Sequence, residues 1–303
     1  MSKSILVPLD GSELAEIALD YVMDIVSDSG LSVVLLHVYS PSERDFATMR
    51  HGYLERVAEK VRLQLQDREE STGVPLTDRV EVQPVLSMGH AAEEILRHAQ
   101  QHDAEFIVMA THGLSGIRRW AIGSVADKVV RASSKPVLLV RARRTHPLSR
   151  KIVVPLDGTR ECEMVIGPTE GFATALRSEV VFLQVLEPVY QVHGAGVHMV
   201  RRYTDARMRE LKEGAMRYLE RVATPLGEKG IDVACEVIVG SIPEEIIRFA
   251  GENQARLVVL LKHRRASISP LDLGHVADRV LRRGSTPVLM VSAARRPRFR
   301  KAD

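Results

Sequence analysis

The chain has 303 residues, 45% hydrophobic and 27% charged, an ordinary globular composition with room for about two domains of roughly 150 residues each. A net charge of +3 is too small to imply a polyanion partner, and 4% aromatic residues argue against a stacked-base platform for single-stranded nucleic acid. No apolar run approaches a membrane span and the opening MSKSILVPLD lacks a signal-peptide layout, so the cytoplasm is the expected compartment, with no nucleic-acid and no membrane partner.

Strand and helix signals alternate from the start. Residues 5–9 are a short apolar run that ends at Pro8-Leu9-Asp10. Ser12 suits the N-cap of a following helix, with Glu13 and Glu16 placed favourably in its first turn. Leu14, Ile17, Ala18, Tyr21, Val22 and Ile25 then keep helical spacing. A strand is predicted over 32–39, a long helix over 48–71, a strand over 80–86 and a helix over 90–102. Strand 105–110, helix 124–132 and strand 137–140 complete the set. Near-continuous apolar strands between helices point to a parallel sheet covered on both faces. Sheets of that kind bind ligands at the carboxyl ends of their strands, where the strand order reverses.

The pattern is then repeated. ILVPLDGSE at 5–13 returns as IVVPLDGTR at 152–160, and GSVADKVVRASSKPVLLV at 123–140 returns as GHVADRVLRRGSTPVLMV at 274–291. Matching segments in the same order, offset by about half the chain, indicate duplication of a whole domain. The expected domains are 1–144 and 150–293, followed by a basic tail over 294–303. The join, RARRTHPLSRK, is polar and basic and contains Pro147, as suits a linker.

Residues 110–130 read ATHGLSGIRRWAIGSVADKVV, with Gly113, Gly116 and Gly123 beside a helix start at Ser124. Ordered glycine carries an entropic cost, so the cluster suggests a backbone that must approach something closely, most simply an anion at a helix N-terminus. Together with VPLDGS, this stretch resembles the universal stress protein family, whose ATP-binding members carry Gly-x-x-Gly, nine residues, then Gly-Ser or Gly-Thr. Gly113 is here followed by nine residues and Gly123-Ser124, while Ala110 replaces the family's first glycine. The likeness covers nearly the whole chain, once per half. It implies two Rossmann-like α/β domains of the adenine nucleotide alpha hydrolase type, each a mostly parallel five-stranded sheet with helices on both faces.

The resemblance further implies an ATP site in the first half. Asp10, with the backbone of Pro8 and Leu9, would hold the adenosine end, and Val38 would line the adenine pocket. Met109 and Ala110 would lie beside the nucleoside. Gly113, Gly123, Ser124 and Val125 would present N–H groups to the phosphates, with His112 on the adjoining loop. A magnesium ion would accompany the ATP, met by Asp10 through water. Asp10 equally suits a turn-forming role before Gly11, and His112 a place on a solvated loop. No Walker-type loop is present.

The second half departs from this pattern. Leu261, Arg264 and His275 replace Ala110, Gly113 and Ser124, and only Gly274 is kept, so its site is expected to be degenerate. The implied function is a stress-linked regulatory or sensor protein. The alternatives are a slow ATP hydrolase, for which no base-and-nucleophile arrangement and no catalytic residue is recognisable, and a scaffold that binds no nucleotide. His193 and His198 lack companion metal ligands. Cys162 and Cys235 read as buried structural thiols, Trp120 as a packing residue, and Arg118 and Arg119 as either phosphate contacts or loop solubilisers. KPVLLV and TPVLMV are short apolar edge strands that invite pairing. Universal stress proteins pair through this region, which implies an internal pairing of the two domains and leaves room for a homodimer. Lysines at Leu138 and Leu289 would be expected to separate the halves without unfolding them.

Overall fold

A computed structural model describes residues 3–73, 75–76, 80–111, 122–141, 149–188, 190–193, 198–201, 205–262 and 273–292. In chain order the first repeat forms β1 (Ser4–Pro8), α1 (Glu13–Ser29), β2 (Ser32–Tyr39), α2 (Ala47–Thr72), β3 (Val82–Met88), α3 (Ala91–Gln101), β4 (Ala104–Ala110), α4 (Ser124–Ala132) and β5 (Val137–Val140). The second forms β6 (Lys151–Pro155), α5 (Ile166–Ala175), β7 (Glu179–Leu186), a hairpin of β8 (Tyr190–His193) and β9 (His198–Arg201), then α6 (Asp205–Gly227), β10 (Val233–Val239), α7 (Ile242–Glu252), β11 (Leu257–Lys262), α8 (His275–Arg283) and β12 (Val288–Ser292). Short 3₁₀ turns, Pro41–Phe46 and Cys162–Val165, precede α2 and α5.

By its contacts the chain divides into two compact units. One comprises Met1–Pro147, Lys262–Gly274 and Pro287–Asp303, and the other Leu148–Leu261 and His275–Thr286. The five strands of the first repeat run β5–β4–β1–β2–β3 with every neighbour among them parallel. The strand order therefore reverses between β1 and β4, which is where such sheets open a crevice. α1 packs on α2 and α3 on α4, and the sheet carries helices on both faces. Its central strands are apolar on both sides: Ile5, Leu6 and Val7 are wholly buried, as are Ile107 and Val108. In the second unit β11–β6–β7–β10 are likewise parallel.

Local chemistry sets the boundaries. Ser12 caps α1 by accepting from the Ala15 N–H at 3.1 Å, and Gly30 ends it in the left-handed region at φ 64°. β3 starts two residues later than its apolar run and extends to Met88. It contains Pro84, which is tolerated because among the described residues β3 pairs with β2 alone and stands at the edge of the sheet.

β5 is not an open edge. Within the first unit, β12 pairs with it antiparallel, Leu289 facing Leu138 and Val288 facing Leu139. Leu138 is 1% exposed and Leu289 is wholly buried. The expectation that lysines here would separate the halves without unfolding them is corrected by that burial, because each would carry a charge into an apolar interior.

Candidate functional site

The turn after β1 is built by its own side chains. The Leu9 N–H donates to the Leu36 carbonyl at 2.8 Å, extending the ladder one residue beyond β1. Gly11 then takes φ 89°, a left-handed conformation suited to glycine. Asp10 Oδ1 accepts from the Ser12 N–H at 3.0 Å and from its hydroxyl at 2.6 Å. The second repeat reproduces this turn: Asp157 Oδ1 accepts from Thr159 N–H at 2.9 Å and its hydroxyl at 2.6 Å, with Gly158 at φ 86°. The Asp-Gly-Ser/Thr motif is thus explained by turn formation in both repeats. Asp10→Ala and Asp157→Ala should each lower stability by about 1 kcal/mol through lost hydrogen bonds. Urea denaturation measures this, and no loss at either position would remove the turn-forming account.

The fourth strand and its helix close on the same place. Thr111, fully buried, donates its N–H to the Val140 carbonyl at 2.8 Å. Its own carbonyl accepts from the Gly123 N–H at 2.7 Å, so the chain returns beside β4 after residues 112–121. Gly123 stands at the N-cap position of α4, and Ser124 is its first helical residue. No side chain caps α4 among the described residues. The Gly123 N–H is spent on Thr111, which corrects the expectation that it faces a ligand. The N–H groups of Ser124, Val125 and Ala126, which a helix leaves without internal partners, remain as the anion-seeking end.

These segments enclose a cavity of about 230 Å³. Pro8, Leu9 and Asp10 line it from the first turn, Val38 from β2, Met109 and Ala110 from β4, and Gly123, Ser124 and Val125 from α4. His112 and Gly113 lie outside the described residues, as do Gly116, Arg118, Arg119, Trp120, Arg264, Pro147 with most of the linker, and the basic tail. The cavity also takes walls that motif reading missed: Ala15 of α1, Leu36 of β2, Ala91 and Ile95 of α3, Thr111 and Ala126. Helical and strand periodicity marks these residues as inward-facing but cannot separate a cavity wall from a filled core.

Three of the walls are alanines whose counterparts in the second repeat are larger. Aligned through the repeated motifs, Ala15, Ala91 and Ala110 become Cys162, Ile242 and Leu261. Cys162 and Leu261 are buried, at 6% and 4% exposure. Burial, reinforced by nearby Asp157, pushes the Cys162 thiol up to about 12, so it is a packing group and no nucleophile. Cys235 is only half-buried, against the expectation of a buried thiol. Gly274 takes φ 84°, whereas Gly123 sits at an ordinary φ of −58°.

His37 alternates with Leu36 and Val38 on β2 and so turns to the other face of the strand. It is 2% exposed, with Nε2 2.8 Å from Arg50 Nη1, and Arg50 pairs in turn with Glu43. Burial first, then the Arg50 charge, holds its pKa below the usual histidine value. Tyr53 stands edge-on to the His37 ring and donates to Glu16 at 3.2 Å. This cluster buttresses the strand that carries Leu36 and Val38. Among the described residues no three His, Cys, Asp or Glu side chains gather as a metal site. No helix among them is long and apolar enough to cross a membrane.

Comparison with known proteins agrees with this architecture. The model of the universal stress protein family matches residues 1–141 and again 149–292. A universal stress protein of Methanocaldococcus jannaschii is 30% identical over 159 residues, covering 48% of this chain and 98% of its own length. One from Thermus aquaticus is 36% identical over 146 residues, 46% of this chain and all of its own. Among solved structures, a universal stress protein from Archaeoglobus fulgidus shares the fold at TM-score 0.67 and 19% identity, covering 97% of this chain and 99% of that one. A functionally unknown protein from Pseudomonas aeruginosa does so at TM-score 0.68 and 18% identity, over 97% and 93%. Two family matches span nearly the whole sequence, and the chain belongs to the universal stress protein family as a tandem, two-repeat member.

Proposed function

We propose that this chain is a stress-response regulatory protein of the cytoplasm that binds one ATP in the first repeat, with residues 8–125 holding it and the second repeat degenerate. The observation that carries the reading is the contrast between repeats. Small walls and an uncapped helix meet at one cavity in the first, where the second has Cys162, Ile242, Leu261 and His275. Val38, Met109 and Ala110 would receive the base and sugar, and the amides of Ser124 and Val125 the phosphates. The cavity is smaller than the roughly 300–1,000 Å³ that encloses a drug-sized ligand, so the phosphates would extend beyond it past the amides of Ser124 and Val125. No protein metal cluster supports a resident magnesium site among the described residues, and magnesium would ride on the phosphates and water.

The reading is of a binder with little turnover, since the sequence offers no recognisable base-and-nucleophile arrangement. The β5–β12 ladder supports an internal pairing of the repeats as well, with homodimerisation left to solution measurement. Isothermal titration with ATP should give a stoichiometry of one, and mass spectrometry of ligand released from purified protein should find adenine nucleotide. Two sites per chain, or none, would overturn the assignment. Multiple-turnover phosphate release abolished by a single change at Asp10 or His112 that spares binding would replace it with an enzyme.

A further inference from the structure

β11 ends on Lys262, which stands where the first repeat has Thr111 and belongs by its contacts to the first unit. It is only 4% exposed. A buried ammonium is costly unless its hydrogens are satisfied. Here they are, because Nζ donates to the carbonyls of Val130 at 3.3 Å, Arg131 at 2.8 Å and Ser133 at 3.0 Å. These are carbonyls of the last turn and C-cap of α4, the groups that a helix leaves without internal partners. The helix's own Arg131 pairs with Asp127 instead, at 2.8 and 3.0 Å. A threonine at this position has one hydroxyl hydrogen and could not serve three carbonyls. The change from Thr111 to Lys262 is therefore a new interaction as well as a lost copy of the site.

α4 has nine residues, so its two ends lie about 13 Å apart. One end holds Lys262 and the other lines the cavity. We propose that Lys262 is a positioning residue for the nucleotide site, fixing α4 by its C-terminal carbonyls so that the Ser124 and Val125 amides stay aimed at the phosphates. A cation at the negative end of the helix dipole acts in the same direction. The proposal rests on the reading of the cavity as a nucleotide site. It concerns the phosphate end alone, because the base and sugar would meet β2 and β4.

The test compares ATP with adenosine in the full chain. Lys262→Met keeps the stem but removes the charge and all three donors. It should lower the ratio of ATP to adenosine affinity about tenfold, with adenosine binding changed less than about twofold. Lys262→Gln retains two donor hydrogens, which keeps the test open should Lys262→Met not fold, and its ratio should fall about threefold. An unchanged ratio in folded Lys262→Gln, or equal losses for both ligands in either variant, would overturn the positioning role and leave the nucleotide reading intact. Wild-type protein that binds neither ligand would overturn both.

Discussion

Gly123→Val is expected to weaken ATP binding at least tenfold and as much as about a hundredfold, while costing the fold only roughly 1 kcal/mol. The residue sits at φ −58° and ψ 146°, which any L-amino acid adopts, and its N–H bond to Thr111 involves no side chain. Backbone strain is therefore no obstacle to the substitution. What changes is the wall of the cavity, where main chain and alanine would acquire a branched side chain. Gly274→Val reverses the balance. At φ 84° a β-branched residue is strained by about 1–3 kcal/mol, so stability should fall while ATP stoichiometry stays at one. Isothermal titration and urea denaturation on the two variants separate these effects. Loss of binding confined to Gly274→Val would put the working site in the second repeat.

The alternation of apolar runs and capped helices was enough to read the fold. Ile5-Leu6-Val7 has no polar face, so it must be covered on both sides, and Ser12 marks the start of α1 in the sequence as it does in the structure, whereas Gly30 is seen to end it only in the structure. The cavity-facing motif residues were legible because glycine and alanine beside a helix start have few other reasons to cluster. Asp10 was ambiguous in the sequence, and its contacts to Ser12 supply the turn-forming role whether or not a ligand also meets it. Other features depend on distant contacts. The Gly123 N–H bonds the Thr111 carbonyl, a contact between residues twelve apart that no local pattern encodes. Ala91 and Ile95 look like any inward helix face until the opposite wall is known to be small. Nothing in the sequence around Lys262 marks it as buried, and only the end of α4 reveals why it is. An apolar edge strand announces that it needs a partner, not that β12 will run antiparallel to β5.

That pairing sets the second large effect. Leu138→Lys should destabilise the first unit by about 3–5 kcal/mol, because the side chain is 1% exposed and would bury an uncompensated charge. Leu289→Glu should be of similar severity, since Leu289 is wholly buried and faces Leu138 across the ladder. Directly opposed residues on antiparallel strands bring their β carbons within about 5.5 Å, close enough for the two charges to pair. The double variant should therefore recover about 1–3 kcal/mol relative to the sum of the single losses. Urea denaturation of the wild type, both singles and the double closes the cycle, using whichever variants remain folded at low temperature. A neighbouring pair serves as a milder cycle: Val288→Thr with Leu139→Thr, opposed in the same register, adds hydroxyls rather than charges. Coupling is expected in both cycles because each joins residues in contact. Strict additivity in both would mean that β12 does not lie on β5 in solution, and the internal pairing of the repeats would lose its support.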